Sequence, residues 1–147
     1  MSDAVHPPVH PADPDPAGQE ESEVLTTLGD GRVVTSSGAD GRAVIEFVCR
    51  PEMCHSGGVA QGGFVTGWID SAMARACIDR YTEAYWIATL ELKVSFFRPA
   101  RPGPVRAEGW IERAGKQTVF TEGHLLDPDG QVLAKASSTI RLVPDRA

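Results

Sequence analysis

Only one long stretch of this chain carries helical periodicity, and that limits the folds open to it. From about Gly63 to Tyr81, the residues Phe64, Val65, Trp68, Ile69, Ala72, Met73, Ala76 and Cys77 recur at the spacing of one broad apolar helix face. A second stripe on the same helix, Gly63, Gly67, Ser71 and Ala74, is made of small residues that allow close approach, and Asp70 lies at its edge. Beyond the helix the chain reads as strand: Ile87–Phe97, Val105–Arg113, Thr118–Leu126 and Val132–Val143, a four-strand antiparallel meander. The breaks fall at Pro99–Pro104, at residues 114–116 and at residues 127–130, the last two as short hairpin turns. Ahead of the helix, Val24–Leu28 reads as a short helical turn. Val33–Ser36 and Arg42–Cys49 read as strands joined through Asp40–Gly41. One helix among so many strands has to bury its apolar face against one face of the sheet. The expected fold class is therefore α+β, an antiparallel sheet wrapped around one long central helix. Its open edges predict a dimer with a continuous sheet.

Residues 1–22 are rich in proline and acid with almost nothing to bury, so they are read as a disordered tail ahead of a single domain over 23–147. His6 and His10 in that tail are read as solvated rather than as metal ligands, and no metal is expected. A net charge of −6 argues against nucleic acid as the main partner. No apolar run approaches the ~20 residues of a membrane span, and the acidic start lacks the pattern of a signal peptide. The expectation is a cytoplasmic protein without a membrane partner. Its three cysteines, Cys49, Cys54 and Cys77, have no paired short spacing and are read as reduced and mostly packed.

The chemistry concentrates where a glycine-rich loop, residues 54–63, enters the helix. Backbone N–H groups at a helix start can hold a developing oxyanion, and a carboxylate in apolar surroundings can serve as base or nucleophile. Gly62 and Asp70 are the candidates for these two roles. Eight residues at about 1.5 Å rise put them ~12 Å apart along one helix, too far to share a reacting carbonyl. Two antiparallel helices at a two-fold interface remove that obstacle by pairing Gly62 of one chain with Asp70 of the other.

From residue 24 to 143 the chain resembles the hotdog-fold acyl-CoA thioesterases of the phenylacetate-degradation (PaaI-type) branch. The resemblance is carried by His55, Gln61-Gly62-Gly63, Asp70 and the SFFRPARPG stretch at 95–103, with the family's spacing kept. The family pattern has Asn where His55 stands and His where Gln61 stands, and both replacements can still donate a hydrogen bond to a thioester carbonyl. The resemblance implies a catalytic group of Asp70, Gly62, Gln61, His55 and Thr89, with Thr89 orienting the attacking water. Trp68, Phe64 and Met73 are candidates for lining the acyl tunnel between helix and sheet, and Gly63 is a further substrate-binding candidate. Arg98, Arg101, Arg106 and Lys116 are candidates for the phosphates of CoA. The implied reaction hydrolyses an acyl-CoA to the free acid and CoA, by a homodimer that assembles into a homotetramer, with no cofactor because CoA belongs to the substrate.

Each residue also has a plainer reading. Gln61 can stabilise its loop, His55 can be an exposed loop histidine, Asp70 can pair with Arg75 or Lys93, and Thr89 suits a strand by propensity. Trp68 and Met73 can be core, and the arginines can be solvated. A Cys54–His55 dyad is disfavoured, because adjacent residues rarely present both side chains to one substrate. Two further functions compete: a non-catalytic acyl-thioester-binding protein, and a hotdog hydratase or dehydratase of enoyl thioesters. Gln61 in place of His weakens the last.

Overall fold

The computed structural model describes residues 23–81 and 84–145. The tail that carries His6 and His10 lies outside them. A short helix over residues 23–27 (α1) leads through Gly29-Asp30-Gly31 into the first strand. There follow β1 (Arg32–Ser37), β2 (Arg42–Cys49), a 3-10 turn at Pro51–Met53, and the long helix α2 (Gly62–Tyr81). After the helix come β3 (Tyr85–Phe96), β4 (Gly103–Ala114), β5 (Thr118–Leu126) and β6 (Val132–Pro144). The sheet is antiparallel throughout, with spatial order β1-β2-β4-β5-β6-β3. The class is α+β, of hotdog type, with one long helix against an antiparallel sheet.

The strand connectivity corrects one expectation. The four strands after the helix are not a simple meander: β4, β5 and β6 follow one another, but β3 pairs with β6 and β4 pairs with β2. The physical reason lies in the segment between β3 and β4. With Pro99, Pro102 and Pro104 it cannot close a tight hairpin, and each proline removes a ladder donor. The chain instead crosses from one end of the sheet to its middle. The three hairpins, β1–β2, β4–β5 and β5–β6, are where they are expected. Gly41, at φ 61, closes β1–β2, and Gly130, at φ 80, closes β5–β6. There the Asp127 carboxylate accepts from the N–H groups of Asp129 and Gln131, both at 2.9 Å.

Helix α2 contacts all six strands. Its buried residues Val65, Trp68, Ile69, Ala72, Met73, Ala76 and Cys77 step by three and one along the helix. Val65, Trp68, Ile69, Ala72 and Met73 share one core with Ile45, Phe47 and Cys49 of β2 and with Ala107 and Leu125 of β4 and β5, while Cys77 packs with Val119, Ile140 and Leu142. Close approach depends on Gly109 in β4. A Cβ there would lie 2.4 Å from the backbone carbon of Ala72 and 2.4 Å from the Met73 nitrogen. The small residue that lets helix and sheet close up is thus on the sheet. Trp68, fully buried, donates its indole N–H to the Leu28 carbonyl at 2.5 Å and so ties the N-terminal segment to the helix. Around that contact Gly29 (φ 107) is obligatory, since a Cβ would fall 2.3 Å from the Val48 carbonyl oxygen. At the far end of α2, Asp79 receives the Ser36 hydroxyl and an ion pair from Arg75 at 2.9 Å. No helix among the described residues is long and apolar enough to cross a membrane.

Candidate functional site

Asp70 is half-buried on α2, and its Oδ1 accepts a hydrogen bond from the Thr89 hydroxyl on β3 at 3.1 Å. Strand period 2 turns Ile87 and Thr89 toward the helix side, and a bulge between Thr89 and Glu91 leaves Leu90 out of register and exposed. Burial raises the Asp70 carboxyl above its ordinary value of 3.8, and the Thr89 donor partly opposes that. The carboxylate therefore holds its proton more tightly than a solvated aspartate, while the hydroxyl fixes its orientation. Neither of the partners considered from the sequence, Arg75 or Lys93, is the one found: Arg75 pairs with Asp79.

Gly62 is the first residue of α2, where N–H groups have no intrahelical acceptor. Gln61 precedes it as the cap. Its side-chain oxygen accepts from the Gly63 N–H at 2.8 Å, and its own N–H donates to the Met53 carbonyl at 2.9 Å. The loop-stabilising role of Gln61 is thus present. Its amide oxygen is engaged, and the donor NH₂ is the end available to a ligand. Among the described residues the Gly62 N–H donates to no protein acceptor. His55 is exposed and local in its contacts. Its Nδ1 accepts from the Gly57 N–H at 3.2 Å, which leaves Nε2 as the outward nitrogen.

The acyl-side candidates divide. Gly63 stands at the exposed helix start, whereas Trp68 and Met73 are completely buried in the core and line no surface of this chain. A groove of about 280 Å³ lies instead beside the helix start, lined by Val59, Ala60, Val65, Phe96, Phe97 and Arg98 among others. The Phe96 ring overhangs Gly62, at 3.2 Å from where a Cβ would be. Sequence reasoning singles out the SFFRPARPG stretch for its spacing and its arginines but misses these two aromatics. A signal was available: of two consecutive Phe on a strand, alternation turns one away from the core, and here both are more than half exposed.

The basic candidates are scattered. Arg98 donates to the Gln131 side chain at 2.7 Å, and Arg101 is exposed in the same loop. Arg106 pairs with Glu46 at 2.8 Å on the outer face of the sheet, where Arg32 joins it at 2.6 Å. The Arg106 hydrogen bond holds the Glu46 carboxyl below the usual range; desolvation opposes it, and Arg32 adds to the lowering. Lys116 is exposed at the β4–β5 turn, the other end of β4 from Arg101, roughly 35 Å away at strand rise. One chain therefore brings Asp70 to Thr89, and Gln61 to Gly62 and Gly63, but does not gather the four cations. Among the described residues no three His, Cys, Asp or Glu side chains converge as a metal site would require.

This arrangement can be set beside known proteins. The profile of the thioesterase superfamily matches residues 57–134. An inferred esterase of Saccharolobus solfataricus is 35% identical over 96 residues, which is 65% of this chain and 68% of that protein. Among solved structures, a phenylacetic acid degradation-related protein of Ralstonia eutropha JMP134 is 27% identical, with TM-score 0.77 over 90% of this chain and 94% of its own. A hypothetical thioesterase of Streptococcus pneumoniae TIGR4, crystallised with coenzyme A, shares the fold at TM-score 0.79 and 14% identity, covering 88% of this chain and 98% of its own. With the fold, the capped glycine helix start and the helix aspartate in place, the chain belongs to the hotdog-fold thioesterase superfamily.

Proposed function

We propose that this protein is an acyl-CoA thioesterase whose site is shared between two copies of the chain. The observation that carries the reading is the Asp70–Thr89 pair: a half-buried carboxylate with a raised pKa, oriented by a hydroxyl at 3.1 Å. In the proposed mechanism the Gly62 N–H, with Gln61 or His55 beside it, polarises the thioester carbonyl. Asp70 of the other protomer attacks that carbonyl, or takes a proton from a water held by Thr89, and CoA leaves as the thiolate. The separation of ~12 Å along one helix is what requires the second copy.

The edge strand β3 supports a dimer with a continuous sheet wrapped about the helices. It is twelve residues long and carries the exposed apolar side chains Trp86, Leu90 and Phe96. Pairing of two such dimers gives a homotetramer, and a cytoplasmic location fits. Coenzyme A bound to the Streptococcus pneumoniae protein of the same fold supports CoA as the carrier. Arg98 and Arg101, beside the groove, are the better phosphate candidates of this chain. Arg106 is committed to Glu46, and Lys116 would have to come from another protomer. The groove at Phe96 and Phe97, rather than Trp68 and Met73, is the place for the acyl group.

The test is thiol release from a panel of phenylacetyl, hydroxybenzoyl, short-, medium- and long-chain acyl-CoAs, with Asp70→Asn in parallel. Turnover of one class by the wild type and a loss of about 10²–10⁴-fold in the variant are expected. A folded dimeric wild type that releases no thiol would point to acyl-thioester binding without hydrolysis. Hydration of an enoyl thioester would assign the hydratase reaction instead.

A further inference from the structure

Two of the three cysteines meet in the folded chain. Cys49, at the end of β2, is buried, and Cys54, after the 3-10 turn, is half-buried; their sulfurs are 3.8 Å apart. Both side chains are directed at the same point, the Arg50 carbonyl, at 4.0 Å from Cys49 Sγ and 3.7 Å from Cys54 Sγ. The turn at Pro51–Met53 folds the chain back so that five residues of sequence become one sulfur contact. Cys77 is far along α2, in the separate cluster with Val119, Ile140 and Leu142.

We propose that Cys49 and Cys54 form a reversible disulfide under peroxide, and that this bond governs the loop entering α2. In the first step the partly exposed Cys54 sulfur attacks the peroxide O–O bond. An S–O bond forms, one oxygen leaves as water, and Cys54 becomes a sulfenic acid. In the second, Cys49 Sγ attacks the Cys54 sulfur. The S–S bond forms, the S–O bond breaks, and the oxygen leaves as water with the Cys49 proton. Two thiols and one peroxide give one disulfide and two waters, with two electrons passing from the sulfurs to the peroxide. Burial pushes the Cys49 thiol up to about 12, with the adjacent Cys54 adding to it, so Cys49 is not the sulfur that meets peroxide first. It resolves because its sulfur lies 3.8 Å from that of Cys54, losing its proton to the departing hydroxide as the S–S bond forms.

The bond would draw the sulfurs from 3.8 Å to about 2.05 Å, a movement of about 1.8 Å. That movement is transmitted directly. Cys54 bridges to Ala60, and the Met53 carbonyl holds the Gln61 N–H at 2.9 Å. The cap and the Gly62 N–H behind it therefore shift with the bond. That the shift lowers thioester turnover rests on the function proposed above; the disulfide itself does not.

The experiment oxidises the folded full-length chain with hydrogen peroxide. Remaining thiols are then alkylated in denaturant, and the intact mass and the peptide map are read. Expected are a loss of about 2 Da, a single alkylated thiol at Cys77, a cross-linked Cys49–Cys54 peptide, and full reversal by a phosphine reductant. Cys54→Ser is expected to keep its reduced mass, whereas Cys49→Ala, if it folds, is expected to gain oxygen at Cys54 with no cross-link. In the wild type, three alkylated thiols after oxidation, or oxygen adducts on Cys54 with no cross-link, would overturn the proposal. Turnover is expected to fall about tenfold on oxidation and to return on reduction. Equal turnover in both forms would overturn the coupling to the loop. If the reduced protein hydrolyses no thioester, the proposed function fails while the mass data still decide the disulfide.

Discussion

Substituting Gly109 by alanine tests whether the close fit of helix to sheet positions the candidate site. The new Cβ would stand 2.4 Å from the Ala72 carbonyl carbon and the Met73 nitrogen, and 2.6 Å from the Ala72 oxygen. Ordinary contact needs about 3.4 Å or more, so about 1 Å has to be found. It cannot come from a side chain rotating, because all three atoms are helix backbone. Either α2 lifts from β4 or β4 bows outward. Overpacking of this kind costs about 1–3 kcal/mol, which lowers the melting temperature by roughly 4–12 °C for a domain of this size. The strained point lies two to three residues from Asp70, on the same helix, so the 3.1 Å bond to Thr89 is strained with it. A misplacement of 1 Å at a reacting group costs up to about 10²-fold in rate. Calorimetry gives the first number, and thiol release measured well below the melting temperature gives the second. Gly123→Ala is the comparison. Its Cβ would meet the Glu108 carbonyl oxygen and Ile69 Cγ2 at 2.8 Å and Met73 Cγ at 3.0 Å, so the overlap is smaller and only one of the three atoms is backbone, and it is expected to cost less. If Gly109→Ala melts within about 2 °C of wild type and turns over normally, helix–sheet distance does not set the site.

Other perturbations have signs that follow from the geometry. Thr89→Val removes the donor that lowers the Asp70 pKa, so the acid limb of kcat/KM against pH should move to higher pH; an unmoved limb would separate Asp70 from that titration. Asp70→Asn should be more stable than wild type at neutral pH. The native carboxyl has a raised pKa, so the folded chain holds its proton more tightly than the unfolded chain, and stability is lost as pH rises from 3.8 through the folded value. Denaturant melts at pH 7 and below pH 3.8 test this, since the gain should vanish at the lower pH. Trp68→Phe keeps much of the core volume but strands the Leu28 carbonyl, for an expected loss of about 1–3 kcal/mol in urea unfolding; no loss would mean that water replaces the indole.

Much of this molecule could be read along the chain because the deciding forces are local. The apolar face of α2 follows a 3.6-residue period, the alternation of Ala43, Ile45, Phe47 and Cys49 with Val44, Glu46 and Val48 follows a period of two, and the hairpins at Asp40–Gly41 and 127–130 follow turn chemistry. The entry of α2 from the glycine-rich loop and the placement of Asp70 on the helix edge belong to the same class of information. Strand order does not. The prolines between β3 and β4 argue locally against a hairpin there, but nothing local says that β3 then crosses to pair with β6.

The partners of charged residues were equally invisible before folding. Glu46 and Arg106 are 60 positions apart, and only the β2–β4 register sets them opposite each other. Trp68 and Met73 have the sequence character of pocket and of core alike; only the fold shows them completely buried under the sheet in this chain. Residue identity and spacing by themselves determined the elements, the turns and the candidate carboxylate. The tertiary structure alone decided what Asp70 touches, which aromatics overhang Gly62, and that Cys49 meets Cys54, because those depend on how distant segments register and how much water each side chain loses.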